Sequence, residues 1–349
     1  MTGIPPKPPS IYDLDLLQLR ERMVEWGEPA YRGMQVWQGM YTQLWSSPGS
    51  FTALSKALRQ RLESEFSFSN MRPELSKSSK DKKTTKTLFR LNDQKAIETV
   101  LMRYDERNTL CISSQAGCGM GCVFCATGQM GLKRNLTSGE IVEQVVYYAR
   151  QLKEQGEAVT NVVVMGMGEP FHNYDATLRA LDRLNDNEGF NLGARRFTIS
   201  TVGLVPAIRR FASEGRQYNL AVSLHAAEDE LRSSLLPINK KYPIHELLAA
   251  CREYIEQTHR RITFEWALIQ DVNDSPEQAR ILAGKLKGML CHVNVIPLNP
   301  TPSFHGTGTS HQRAEVFRDE LVRHGIPCTV RLRRGIEIQA GCGQLAVQV

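Results

Sequence analysis

No apolar run in the sequence approaches the roughly 18–20 residues that a bilayer-spanning helix needs, so a transmembrane protein is not expected. The first ten residues, "MTGIPPKPPS", lack the apolar stretch of a signal peptide, which makes the cytoplasm the expected compartment. Neither sign of charge is in large excess. A formal net charge of +6 leans towards an anionic partner without demanding one. Cysteine is scarce, with eight in 349 residues, and half of them fall in one stretch, "CISSQAGCGMGCVFCATG", at residues 111–128. In a reducing compartment such clustering points to metal binding or catalysis rather than to structural disulfides. The remaining composition, 41% hydrophobic and 23% charged, is that of a globular protein able to bury a large core.

What is present is an ordered succession of elements. After the Pro-rich start, "IYDLDLLQLRERMVEWGEPAYRGMQVWQGMYTQLW" reads as helices broken at Gly27-Glu28-Pro29. "SPGSFTALSKALRQRLESEF" reads as a further helix with Phe51, Leu54, Leu58 and Leu62 inward. Residues 1–75 are therefore expected to form a small helical accessory domain. Residues 76–108 are expected to be a basic connector and β-hairpin: "ELSKSSKDKKTTKTLFRL" has the Ser and Lys content of an exposed connector, and "KTLFRL" and "AIETVLMRY" read as paired strands. Residues 109–349 alternate between short strand-like runs ("TLCISS", "NVVVMG", "RFTIST", "NLAVSL", "RITFEWALI", "HVNVIP", "CTVRLR") and helical ones. One of the helices, "TSGEIVEQVVYYARQL", opens with a capping box from Thr137 to Glu140. Repeated strand–helix units imply a parallel sheet in the α/β class, and their number suits a partial (β/α)6 barrel.

The polar and Gly-rich positions gather where strands end. Cys118, Cys122 and Cys125 follow the first strand, and "GMGEP" at residues 166–170 follows the second. Ser200 closes the third, Ser223 and His225 the fourth, and Asn299 lies beyond the sixth. The C-terminal rim of such a barrel is where active sites assemble. The three cysteines are spaced C-x3-C-x2-C, with no second C-x2-C knuckle to complete a closed zinc site. A [4Fe–4S] cluster normally takes four thiolates, so three close ones suggest a cluster with one iron left open to a non-protein ligand. Gly117, Gly119 and Gly121 suit a loop wound round a compact inorganic body.

These residues resemble the radical S-adenosylmethionine (SAM) superfamily. In that superfamily the open iron binds the amino and carboxylate groups of SAM, and "GMGEP" resembles the motif that places Gly168 and Glu169 at the SAM ammonium. By the same resemblance Ser200, Ser223, Leu224, His225 and Asn299 line the rest of the SAM pocket. The likeness extends over nearly the whole chain. "CISSQAGCGMGCVFCATGQMGLKRNLT", "VMGMGEP", "LPINKKYP", "HVNVIPLNP" and "GIEIQAGCGQL" resemble the RlmN/Cfr family of RNA adenine methyltransferases. The family methylates adenine C2 in 23S ribosomal RNA and tRNA, or C8 in its Cfr branch; Pro170 points to the C2 branch.

The resemblance implies two further cysteines in the chemistry. Adenine C2 is electron-poor, so it cannot simply attack the electrophilic methyl of SAM. A protein thiolate can. The resemblance makes Cys342 that acceptor, in a C-terminal catalytic tail, and Cys111 the thiol that releases the product through a transient disulfide with Cys342. It makes Glu98 a proton acceptor for the ring hydrogen. On the residues alone, Cys111 reads as a small core residue in an apolar strand, Cys342 as an ordinary thiol near the C-terminus, and Glu98 as a surface carboxylate. Cys251, Cys291 and Cys328 are expected in the core. The implied partners are 23S rRNA, tRNA and an electron donor such as flavodoxin or ferredoxin, with the protein a monomer. The substrate adenine must leave its stack to be reached. Lys77, Lys80, Lys82, Lys83, Lys86, Lys133, Arg134, Arg195, Arg196, Arg331, Arg333 and Arg334 are candidate backbone contacts. Two other readings stay open at this point: a radical SAM enzyme with a different substrate, and a non-enzymatic zinc- or cluster-binding RNA module.

Overall fold

A computed structural model of the chain describes residues 8–299, 301, 303–331 and 338. Helices Leu16–Glu25, Tyr31–Tyr41 and Lys56–Glu65 make up the N-terminal unit. The stretch expected as one helix around residues 47–66 is instead a 3-10 turn, Pro48–Ser50, and a later helix. That helix starts at Ser55, whose hydroxyl accepts the Leu58 N–H at 3.1 Å. The unit is fastened to the rest of the protein by polar bonds as well as apolar packing. The Asp13 carboxylate accepts from Gly139 N–H (2.6 Å) and the Ser138 hydroxyl (3.0 Å) at the start of helix Ser138–Glu154. Arg150 of the same helix donates to the Tyr12 hydroxyl and to the Leu44 and Trp45 carbonyls. The capping box of Thr137 and Glu140 is formed.

Strands β1 (Met71–Ser78), β2 (Thr84–Leu91), β3 (Ala96–Tyr104) and β4 (Arg107–Cys111) each run antiparallel to the next. A short separate pair, β5 (Gln115–Gly117) and β6 (Leu132–Asn135), brackets the cysteine loop. Then β7 (Asn161–Val164), β8 (Phe197–Thr201), β9 (Asn219–Ser223), β10 (Ile262–Leu268), β11 (Cys291–Pro297) and β12 (Cys328–Val330) follow β4 in parallel. The full order is β1-β2-β3-β4-β7-β8-β9-β10-β11-β12. Between β4 and β12 lie six strand–helix units among the described residues, as the alternation implied. The Ser/Lys-rich segment is more than a connector: it is most of β1, the turn into β2 and β2, which extend the barrel sheet at its edge. Only Met71 of β1 is buried, so no apolar alternation marked it in the sequence.

The sheet is curled. Glu98 and Met102 of β3 and Thr329 of β12, far apart in strand order, line one cavity of about 650 Å³. No helix among the described residues is long and apolar enough to cross a membrane.

Candidate active site

The cysteine loop runs between β5 and β6. Gly117 has φ +73°, and a Cβ there would collide with the Gly131 carbonyl oxygen, so only glycine lets the loop close on itself. Cys118 N–H bonds that same carbonyl at 3.1 Å, and Cys125 N–H bonds the Cys122 carbonyl at 3.2 Å. Cys118 and Cys122 are 8% and 7% exposed, and Cys125 is half-buried. Leu235, Leu236, Ala267, Ile269 and Leu298 make the apolar floor, with Phe124 and Phe304 packed against it. Burial pushes the Cys118 thiol up to about 12 and raises Cys122 as well, so a metal must displace their protons to bind. Among the described residues no three Cys, His, Asp or Glu side chains converge on a point where a single ion would sit. A cluster spreads its thiolates over separate irons, and three soft donors in a dry, tightly wound loop fit it.

The rim residues surround this loop. Glu169 is buried; one carboxylate oxygen accepts Phe171 N–H and the other Val202 N–H, both at 2.9 Å. These bonds tie the loop after β7 to the loop after β8. Burial pushes Glu169 up to about 7, against the pull of those amides. Its own N–H bonds the Gln115 side chain at 2.8 Å. Gly168 has φ +107°, and a Cβ there would meet Gln115. Ser200 and Ser223 stand on adjacent strands with hydroxyl oxygens 3.5 Å apart. The Leu224 side chain is buried and its N–H bonds the Glu265 carbonyl at 3.1 Å. His225 Nδ1 accepts the Ala267 N–H at 2.9 Å, which leaves Nε2 to carry the ring hydrogen. Burial, with the nearby Arg232 charge, lowers His225 to about 3, so the ring is neutral. Asn299 lines the large cavity, and its buried Oδ1 has no hydrogen-bond partner among the described residues. A buried acceptor without a donor is costly, and a ligand donor would satisfy it.

Cys111 lines the same cavity, opposite Val100 in the β3–β4 register. Burial pushes its thiol up to about 11, opposed by the charge of Arg331, the Met165 N–H and Lys86. Glu98 is no surface carboxylate. It is 2% exposed, lines the cavity and pairs with Lys86 at 2.6 Å. That pairing corrects a second expectation: Lys86 is wholly buried and cannot meet RNA phosphates. Arg134 is gripped by Glu140 and Asp93, and Arg331 lies 3.6 Å from Glu265 in the cavity wall. Lys80, Lys82, Lys83, Lys133, Arg195 and Arg196 are exposed and Lys77 is half-buried. Cys342, Arg333 and Arg334 lie outside the described residues. Cys251 and Cys291 are in the core, and Cys328 packs at its margin. Arg232 and Gln115, both buried beside the rim, were not singled out in the sequence, where each looks like an ordinary polar residue.

Comparison with known proteins agrees with this geometry. Residues 112–281 match the radical SAM superfamily, and residues 10–68 match the ribosomal RNA large subunit methyltransferase N-terminal domain. A probable dual-specificity RNA methyltransferase RlmN of Chloroflexus aurantiacus is 50% identical, covering 96% of this chain and 92% of its own. A dual-specificity RNA methyltransferase RlmN 1 of Myxococcus xanthus is 47% identical, covering 97% and 95%. The crystal structure of a radical SAM methyltransferase from Sphaerobacter thermophilus superposes with a TM-score of 0.94 at 52% identity, covering 97% of this chain and 99% of its own. With both domains matched and nearly the full length aligned, the chain belongs to the RlmN family of RNA methyltransferases within the radical SAM superfamily, whose cofactors are a [4Fe–4S] cluster and SAM.

Proposed function

We propose that the protein methylates C2 of an adenine in 23S rRNA and in tRNA through an S-methylcysteine at Cys342, using two SAM molecules per turnover. The observation that carries this reading is the placement of Cys111. A strand thiol that could have packed into the core instead lines a cavity together with Glu98 and Asn299. The named specificity of the relatives, dual-specificity RNA methyltransferase, supports the choice of two RNA substrates.

In this reading Cys118, Cys122 and Cys125 would hold the cluster, which when bound would supply the electron for reductive cleavage of SAM. Glu169 keeps lone pairs free beyond its two amide bonds and takes the SAM ammonium. Gly168, Ser200, Ser223, Leu224, His225 and Asn299 complete the pocket, with the Asn299 oxygen accepting from the ligand. The Cys342 thiolate would take a methyl from a first SAM by displacement, with S-adenosylhomocysteine leaving; cleavage of the second SAM would remove one hydrogen atom from that methyl, leaving as 5′-deoxyadenosine, so that the carbon can bond C2 and bridge it to the sulfur. Glu98 or Cys111 accepts the ring proton. Cys111 then attacks the Cys342 sulfur, forms a disulfide and frees the methylated base. A flavodoxin- or ferredoxin-type electron donor, a monomeric state and a cytoplasmic location belong to the same proposal.

The test is anaerobic incubation with reductant, SAM and either RNA, followed by mass spectrometry of the nucleosides. The expected product is 2-methyladenosine with wild type and none with Cys342→Ala. A methyl on C8 would move the protein to the Cfr chemistry. Full activity of Cys342→Ala would point to a radical SAM reaction without a protein methyl carrier.

A further inference from the structure

Arg232, in helix Asp229–Leu235, is wholly buried. Every hydrogen bond it makes goes to a neutral oxygen. Nε donates to the Leu224 carbonyl (3.1 Å) and Nη1 to Asn239 Oδ1 (2.9 Å). Nη2 donates to the carbonyls of Val202 (2.7 Å) and Ser223 (3.2 Å). Among the described residues no carboxylate forms an ion pair with it, although Lys86, equally buried, is paired with Glu98. Asp229, an acid of its own helix, acts on it only at a distance without forming an ion pair; it faces solvent and is engaged by Asn239 Nδ2 (3.0 Å) and Ile244 N–H (2.8 Å). A buried guanidinium held only by dipoles is costly unless an anion sits nearby.

The cysteine loop is that neighbour. Val123 N–H bonds the carbonyl of Leu235, one helical turn beyond Arg232, and Cys122 packs in one apolar cluster with Leu235 and Leu236 of the same turn. We infer that Arg232 is the built-in counter-charge of the cluster: its fixed positive charge stabilises the thiolate-bound, anionic cluster and favours the more negative reduced state, so it raises the cluster's reduction potential. Net charge around the cluster is one of the levers that set such potentials. Because the same guanidinium ties the carbonyls of three rim residues, Val202, Ser223 and Leu224, it sets the pocket and the potential through one side chain.

This inference rests on Cys118, Cys122 and Cys125 holding the cluster, and the experiment separates the two. The wild-type chain, Arg232→Gln and Arg232→Lys are reconstituted anaerobically without SAM, iron is counted, folding is checked by circular dichroism, and the midpoint is read by an EPR-monitored redox titration. A wild type that takes up no cluster defeats the cysteine assignment itself. With the cluster in place, R232Q is expected to lower the equilibrium constant for reduction about tenfold, which is about 59 mV for one electron. R232K, which keeps the charge but loses the fork of donors, is expected to stay within about threefold of wild type. An iron-loaded R232Q with the wild-type midpoint overturns the inference, and so does R232K falling as far as R232Q, since that assigns the effect to scaffolding. If R232Q does not hold its fold or its iron, R232K decides: a wild-type midpoint with full iron supports the counter-charge, and a tenfold fall overturns it.

Discussion

Lys86 and Glu98 offer a worked test of how this protein handles buried charge. They lie diagonally on β2 and β3, where Lys86 is opposite Val100 and Leu88 opposite Glu98. Their side chains are 0% and 2% exposed and their charged atoms 2.6 Å apart. Both charges have left water, and each offsets the desolvation of the other. Lys86→Met leaves the carboxylate without its cation, and Glu98→Met leaves the ammonium without its anion. Each single change is expected to cost about 3–5 kcal/mol. The double variant K86M/E98M removes both charges and replaces them with apolar side chains of similar length. Its cost should fall to about 0–1 kcal/mol, because breaking a buried pair is far worse than replacing it. If the two sites were independent, the double variant would instead lose the sum of the singles, about 6–10 kcal/mol. Urea unfolding of the apoprotein, followed by tryptophan fluorescence and far-UV circular dichroism, measures all four corners of the cycle. A double variant no more stable than that sum would refute the argument. The same variant also tests the proposed chemistry. If Glu98 accepts the ring proton, K86M/E98M should fold yet methylate RNA about 10²–10⁴-fold more slowly. Wild-type turnover would remove Glu98 from the mechanism.

Other consequences are equally open to measurement. Cys111→Ala should accumulate RNA covalently joined to Cys342, seen as a shifted band on a denaturing gel; absence of that band would deny Cys111 its releasing role. Burial holds the Cys111 thiol up at about 11, which disfavours the thiolate at neutral pH. Product release in single turnover should therefore speed up about tenfold per pH unit between about pH 7 and pH 10, and a flat profile would contradict it. Gly117→Ala must relieve both a left-handed φ and the clash with the Gly131 carbonyl, so the reconstituted protein should lose most of its iron while the barrel stays folded by circular dichroism. Asp13→Ala removes the acceptor at the start of helix Ser138–Glu154 and should cost about 1–2 kcal/mol in urea unfolding, with faster proteolysis of the N-terminal unit.

Local chemistry made much of this protein legible in the sequence. The capping box at Thr137 and Glu140 and the alternation of strand and helix from residue 109 each depend on neighbours in the chain, and each is realised in the fold. Where the reading stopped short, the missing information was long-range. β1 carries almost no apolar alternation because it lies at the sheet edge, so its pairing with β2 decides its conformation. Lys86 and Glu98 are charged residues in strands, and charge alone argued for the surface. Lys86 does share a strand face with Leu88, and that period-2 signal hinted that it points inward.

By itself, then, the order of residues determined the alternation of strand and helix from residue 109 and the family. Tertiary structure alone decided which charges are buried and what they face. It curled the sheet until β3 and β12 share one cavity, paired Lys86 with a Glu98 that lines it, and held the Arg232 side chain by hydrogen bonds to carbonyl and amide oxygens alone. The reason is physical. Hydrogen bonding along the chain and side-chain periodicity act over a few residues, whereas desolvation and Coulomb interaction depend on distance in space, which only the folded chain defines.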